Sequence, residues 1–193
     1  TQGAQAAYQS IQELNQRYPD EPRVLALMAD ILAKADEPGG AIRVAQRALR
    51  INGETTVLSA KEQGELHFTL GKLMRQGGQL DQAIHNLSEA ARLTPQGIDI
   101  YLELGMAHRE RRQYTEAMEA YQQAAAAAPK DYRPYNEMGL TLRDNKDYLG
   151  AERMLRRAAE MAPNDPAVHR SLAAVVALNL LHNRRDTVHN ISA

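Results

Sequence analysis

Cysteine and tryptophan are absent from this chain of 193 residues, and phenylalanine occurs once. Without cysteine there is neither a disulfide framework nor a thiolate metal site, and no compartment is implied. Aromatic residues make up only 5%, so a core must be built from aliphatic and small side chains. Neither sign of charge prevails: 23 Lys and Arg stand against 24 Asp and Glu, a net charge of −1. That removes the basic footprint of a nucleic-acid binder. No apolar run reaches the roughly 20 residues needed to span a bilayer, so no membrane insertion is expected. Catalytic signatures are missing as well: there is no nucleophile elbow, P-loop, dinucleotide fingerprint or His-Glu-x-x-His. Of the histidines, His67, His108 and His169 fill large-residue slots of the pattern set out below. His182 and His189 lie seven apart without an acidic partner at ligand spacing. No catalytic residue, metal site or cofactor is therefore expected. Thr1 is not a start methionine and no signal peptide is visible, so the sequence reads as a processed product or an excised piece.

What is present is helix-forming and periodic. Ala, Leu, Gln, Glu and Arg dominate, all favourable in helices. Within residues 98–131, Tyr101, Leu104 and His108 fall at i, i+3, i+7, one stripe of a first helix. Ala117, Tyr121 and Ala124 form the matching stripe of a second helix, which Pro129 ends. Gly105 and Ala117 remove bulk where the two helices meet. The polar link Arg111, Arg112, Gln113, Tyr114 is short enough to make the helices antiparallel neighbours. The same order of sizes recurs around Gly71 and Gly139, each 34 residues from Gly105. Upstream it reads His67, Leu70, Gly71, Met74, Ala83, Leu87, Ala90, Pro95, and downstream Tyr135, Met138, Gly139, Leu142, Ala151, Leu155, Ala158, Pro163.

A 34-residue period with this placement of glycine, alanines and proline resembles the tetratricopeptide repeat (TPR) family. One such pair buries too little surface to fold alone, and stacking neighbours makes a continuous core. The expectation is an all-α, right-handed superhelical solenoid of antiparallel helix pairs over residues 1–182. Residues 1–21 read as the second helix of a truncated repeat, with Ala7, Ile11, Leu14 and Tyr18 before Pro19. Residues 22–55 are a degenerate copy, with Ala29 in the glycine slot and Gly53 in the proline slot. Full copies follow at 64–97, 98–131 and 132–165, and 166–182 restarts the pattern as a single terminal helix. Residues 183–193 read as a polar, mobile tail. The eight residues 56–63 are an insertion. Ser59 and Glu62 have capping-box spacing, so the next helix is expected to begin near Ala60.

The resemblance implies a function class, binding of another protein, and a location for it. In such proteins first helices line a concave face along which a peptide or helical segment lies. Carried over by offset from each glycine, the implied groove residues are Leu27, Asp30, Glu65, Phe68, Lys72, Arg75, Leu102, Glu103, Met106, Arg109, Asn136, Glu137, Leu140 and Arg143. One branch of the family grips a C-terminal carboxylate through a Lys/Asn clamp. Here the corresponding pairs are Ala26 with Asp30, or Phe68 with Lys72, so that clamp is absent. Arg75, Arg109 and Arg143 form a ladder with two readings. They are donors for a peptide's carboxylates or carbonyls, or they are last-turn cations suited to the helix dipole and neutralised by Glu103, Glu110, Glu137 and Asp144.

The leading expectation is a non-enzymatic scaffold or adaptor that takes a peptide or helical segment of a protein partner. The alternative is the substrate-recruiting arm of a larger enzyme such as a glycosyltransferase. A nucleic-acid reader is disfavoured by the mixed-sign inner face, since phosphate binding needs a basic stripe. The last helix, apolar on more than one face through Leu172, Val175, Val176, Leu178, Leu180 and Leu181, is expected to dock on a partner or a second copy.

Overall fold

The computed structural model describes the backbone of residues 2–191 and the side chains of residues 9, 10 and 12–184. Among the described residues there are ten α-helices and no strand. They fall into two compact units, Thr1–Ala107 and His108–Ala193.

The first unit contains α1 (Gln2–Arg17), α2 (Pro22–Lys34), α3 (Pro38–Thr55), α4 (Ala60–Gln76), α5 (Leu80–Leu93) and most of α6 (Ile98–Glu110). The pairing of α4 with α5 shows how the pattern works. A Cβ placed on Gly71 would stand 2.5 Å from Leu87 Cγ and 3.1 Å from the Ala83 carbonyl oxygen. One placed on Gly64, a turn or two earlier, would stand 2.9 Å from Thr94 Cγ2, near the far end of α5. Early positions of one helix thus meet late positions of the other, and the pair is antiparallel. The approach is close because position 71 carries no side chain. Leu25, Ala29, Ala45, Leu66, Leu70, Met74, Ala83 and Leu87 form the buried core, with Phe68 and Ile42 packed against it and still partly exposed.

The first helices of the four helix pairs end in the same way. The amide of Gln79 donates to the Met74 carbonyl at 2.8 Å, Gln113 to His108 at 2.9 Å, Asp147 to Leu142 at 2.9 Å and Glu37 to Leu32 at 2.9 Å. These are the six-to-one bonds of Schellman motifs, which need a left-handed residue just before the donor. That residue is Gly78 in one repeat but Arg112, Lys146 and Asp36 in the others, all at positive φ.

The insertion is taken up by lengthened helices and a pinned link. Helix α3 continues to Thr55 and α4 starts at Ala60 behind a complete capping box between Ser59 and Glu62. Between them Leu58 is buried and donates its amide to Asn52 Oδ1 at 2.6 Å. Arg23 reaches across from α2 to the Val57 carbonyl at 3.0 Å.

The second unit contains α7 (Tyr114–Ala127), α8 (Arg133–Asp144), α9 (Tyr148–Met161) and α10 (Pro166–Ile191). Gly139 repeats the close approach, 2.6 Å from Leu155 Cγ to a would-be Cβ. Ala151, Leu155 and Val175 form a buried cluster joined by Leu142 and Leu172, which seats α10 on the α8–α9 pair. The Arg157 guanidinium lies 4.0 Å over the Tyr135 ring. The terminal helix was expected to stop at 182 with a tail beyond it, but α10 continues to Ile191. No glycine or proline occurs after Pro166, so nothing in residues 183–191 breaks the helix that Val168 and Val175 anchor.

Candidate functional site

Five of the implied groove residues come together in the first unit. Helices α2 and α4 flank two adjoining concavities that share Asp30, Phe68 and Thr69. The smaller, about 490 Å³, is lined by Leu27, Glu65, Arg23 and Glu62 as well. The larger, about 700 Å³, adds Lys72, Lys34, Asp36, Ile42, Leu73 and Gln76. Leu27 is 50% exposed, an apolar side chain that its own fold leaves open. The chain's one phenylalanine, Phe68, stands half-buried at the junction rather than deep in the core.

The charges around these hollows differ in availability. Arg23 is engaged, its Nε 3.1 Å from Glu62 Oε1 while its Nη2 holds the Val57 carbonyl. Glu62 is held well below the usual carboxylate range, first by the backbone amide of Ser59. Asp30 accepts from Lys34 Nζ at 2.6 Å, an exposed pair. Glu65 meets only Lys61, at 3.9 Å and on an exposed surface. Lys72 is exposed and enters none of the ion pairs found among the described residues.

The arginine ladder is already partnered. Arg75 Nε donates to Glu103 Oε2 at 2.8 Å, with the two side chains 16% and 14% exposed. Arg109 Nη1 donates to Glu137 Oε2 at 2.7 Å, again with little exposure, and its Nε lies 3.8 Å from Asp144. Each bond spans 28 residues, joining the end of one first helix to the middle of the next. Arg143 turns instead to Asp144 at 2.8 Å, because Ser171 stands 28 residues on. Neutralisation by acidic neighbours, the second of the two readings, is what these contacts display.

The remaining implied residues lie outside the concavities. Leu102 is buried at 4% exposure and offers no anchor surface, a correction to its placement on an open face. Met106 and Leu140 are half-buried on α6 and α8. Asn136 donates to Glu137 Oε1 at 3.3 Å, while its own Oδ1 is buried without a protein partner. Sequence reasoning missed the contribution of α3: Pro38, Gly39 and Ile42 wall the larger hollow. The signal was available in the Pro38-Gly39-Gly40 run, whose small residues leave space beside the turn. Among the described residues no group of three or more His, Asp or Glu is arranged to hold a metal. None of their helices is long and apolar enough to cross a membrane.

Antiparallel helix pairs that meet at Gly71 and at Gly139, in a sequence whose glycine recurs every 34 residues, define a helical-repeat protein. Two tetratricopeptide repeat family profiles match, over residues 68–132 and 132–165. The chain belongs to the tetratricopeptide repeat family. Its fold is shared by MamA, 19% identical with a TM-score of 0.74 over 82% of each chain. It is shared by YrrB, described as a TPR protein with an unusual peptide-binding site, at 15% identity and a TM-score of 0.76, covering 88% of this chain and 84% of that one. MamA from Desulfovibrio magneticus RS-1 is similar too, 18% identical with a TM-score of 0.75 over 84% and 88%. At these identities the likeness is one of fold. No curated protein matches the sequence.

Proposed function

We propose that the protein is a non-enzymatic scaffold that holds a peptide segment of a partner protein against α2 and α4. The observation that carries this reading is the pair of adjoining hollows, with half-buried Phe68 at their junction and Leu27, 50% exposed, in the wall of the smaller. Apolar side chains in such a position supply anchor energy, whereas exposed rim charges contribute only about 0.2–1 kcal/mol each. Arg75 and Arg109, being engaged with glutamates of the next first helix, support the stack of helices more than they support a ligand.

The test is selection of randomised dodecapeptides displayed on phage against the folded chain, followed by titration of the synthesised winners. Leu27→Ala with Phe68→Ala should weaken them at least tenfold, with the helical signal of the variant unchanged. Winners insensitive to that pair but abolished by Asn136→Ala with Leu140→Ala would move the site to α8 and sink the proposal. Self-association through α10 is a separate part of the reading, supported by Leu180 and Leu181 at 60% and 58% exposure. A molar mass by light scattering that stays at one chain up to high concentration would remove it.

A further inference from the structure

We infer that the α2–α4 groove reads the direction of its peptide, taking a basic residue at the Glu65 end and an acidic one at Lys72. This rests on the peptide-binding reading above and adds the chemistry and orientation of the partner segment. Glu65, Phe68 and Lys72 lie on one stripe of α4 at i, i+3 and i+7. The smaller hollow carries Asp30, Glu62 and Glu65 against a single cation, Arg23, so its mouth has an acidic excess. Of these acids Glu62 is committed to Ser59 and Arg23 and Asp30 to Lys34, which leaves Glu65, held only by a long exposed contact with Lys61 at 3.9 Å, as the carboxylate most open to a ligand. The larger hollow pairs its charges differently. Lys34 is bound to Asp30; of the two remaining charges Asp36 lies beyond the end of α2, while Lys72 enters no ion pair found among the described residues and stands on the Glu65–Phe68 stripe of α4.

Seven residues of helix separate Glu65 from Lys72, about 10 Å of axial rise. An extended chain covers that in about three residues. The fitting segment therefore carries its basic and acidic residues about three apart, with an apolar side chain between them over Leu27 and Phe68. A segment running the other way would set its base against Lys72 and its acid against Glu65. Two exposed attractions lost, at the scale of surface ion pairs, correspond to about two- to thirtyfold in affinity.

The experiment uses the dodecapeptide winners whose binding depends on Phe68. Their sequences should share one order of basic, apolar and acidic residues. Synthetic versions with the two charges transposed should bind at least twofold more weakly. In the chain carrying Glu65→Lys and Lys72→Glu together, the preference should invert. Phe68-dependent winners with no charge order, or with an order the double exchange leaves untouched, would overturn the directional reading while leaving the peptide site standing. A library that yields no Phe68-dependent winner at all would overturn both.

Discussion

Gly71→Ala, a change that ordinarily favours helices, should here destabilise the protein. In a helix interior alanine is better than glycine by about 1 kcal/mol. At position 71 the new methyl carbon would meet Leu87 Cγ at 2.5 Å, Leu87 Cδ2 at 2.9 Å and the Ala83 carbonyl oxygen at 3.1 Å. Leu87 cannot retreat, since it and its neighbours Ala83 and Ala90 are fully buried. To restore ordinary carbon contacts of about 3.5 Å or more, α4 and α5 must part by about 1 Å. Overpacking of this kind costs about 1–3 kcal/mol, so the net loss is about 0–2 kcal/mol, centred near 1, after the helix preference is set against it.

Gly53 supplies the control on the same chemistry. It lies within α3, is exposed, and a Cβ there meets nothing within 4 Å. Gly53→Ala should therefore stabilise by about 0.5–1 kcal/mol. Urea titrations followed by the helical circular-dichroism band read both variants. With a slope of about 2–3 kcal/mol per molar, Gly71→Ala should lower the midpoint by about 0.5 M while Gly53→Ala raises it. Stacked repeats need not unfold in one step, so the first transition is the one to compare. If both variants raise the midpoint, the close approach of α4 and α5 is not what position 71 is for, and the packing argument is wrong.

Three further outcomes follow from the geometry. Arg112 and Lys146 hold left-handed backbone at the helix ends, so Arg112→Gly and Lys146→Gly should each stabilise by about 1 kcal/mol, while Gly78→Ala should cost a similar amount in the same urea assay. Breaking the little-exposed Arg75–Glu103 pair from one side, by Arg75→Met or Glu103→Leu, should cost about 1–3 kcal/mol. The double substitution should lie nearer the parent than either single one in a double-mutant cycle. Asp131 is held below the usual carboxylate range first by hydrogen bonding to the Arg133 side chain, Asp165 by the Tyr132 hydroxyl and Glu152 by Arg156. Depressed carboxylates stabilise fully above their unfolded values and lose that contribution as pH falls through the folded ones. These carboxylates should thus make the thermal midpoint fall as pH drops below about 4, shown by melting curves between about pH 6 and 2.

The helix pairs were legible in the sequence because their determinants are short-range and repeated. Gly71, Gly105 and Gly139, with the alanines and prolines at fixed distances, mark the crossings and ends of helices whatever surrounds them. The helix start at Ala60 was legible for the same reason, since a capping box needs only Ser59 and Glu62. Less was legible of the site, because side-chain availability depends on which neighbours already hold a group. Leu102, Phe68 and Asn136 occupy equivalent positions in three repeats, yet one is buried, one half-buried where two hollows meet, and one bonded to an adjacent glutamate. The fate of Arg75 and Arg109 was written in the spacing: a glutamate stands 28 residues after each and a serine 28 after Arg143. Recognising it requires knowing that consecutive first helices lie side by side.

That difference bears on where binding specificity resides. A strict repeat makes equivalent surfaces, so a distinctive site must come from departures from the pattern. The hollows beside α4 lie where the departures accumulate. Residues 22–55 lack the repeat's glycine, Pro38 and Gly39 replace bulkier residues at the start of α3, and the insertion follows. Arg23 fastens that insertion to α2 through Val57 and Glu62, and both Arg23 and Glu62 then form one wall of the smaller hollow. The irregular segment thus sets the mouth of the site, while the regular repeats that follow lock their own charges together. Replacing the copies at 98–131 and 132–165 with consensus ones should leave peptide recognition intact, whereas regularising residues 38–63 should remove it.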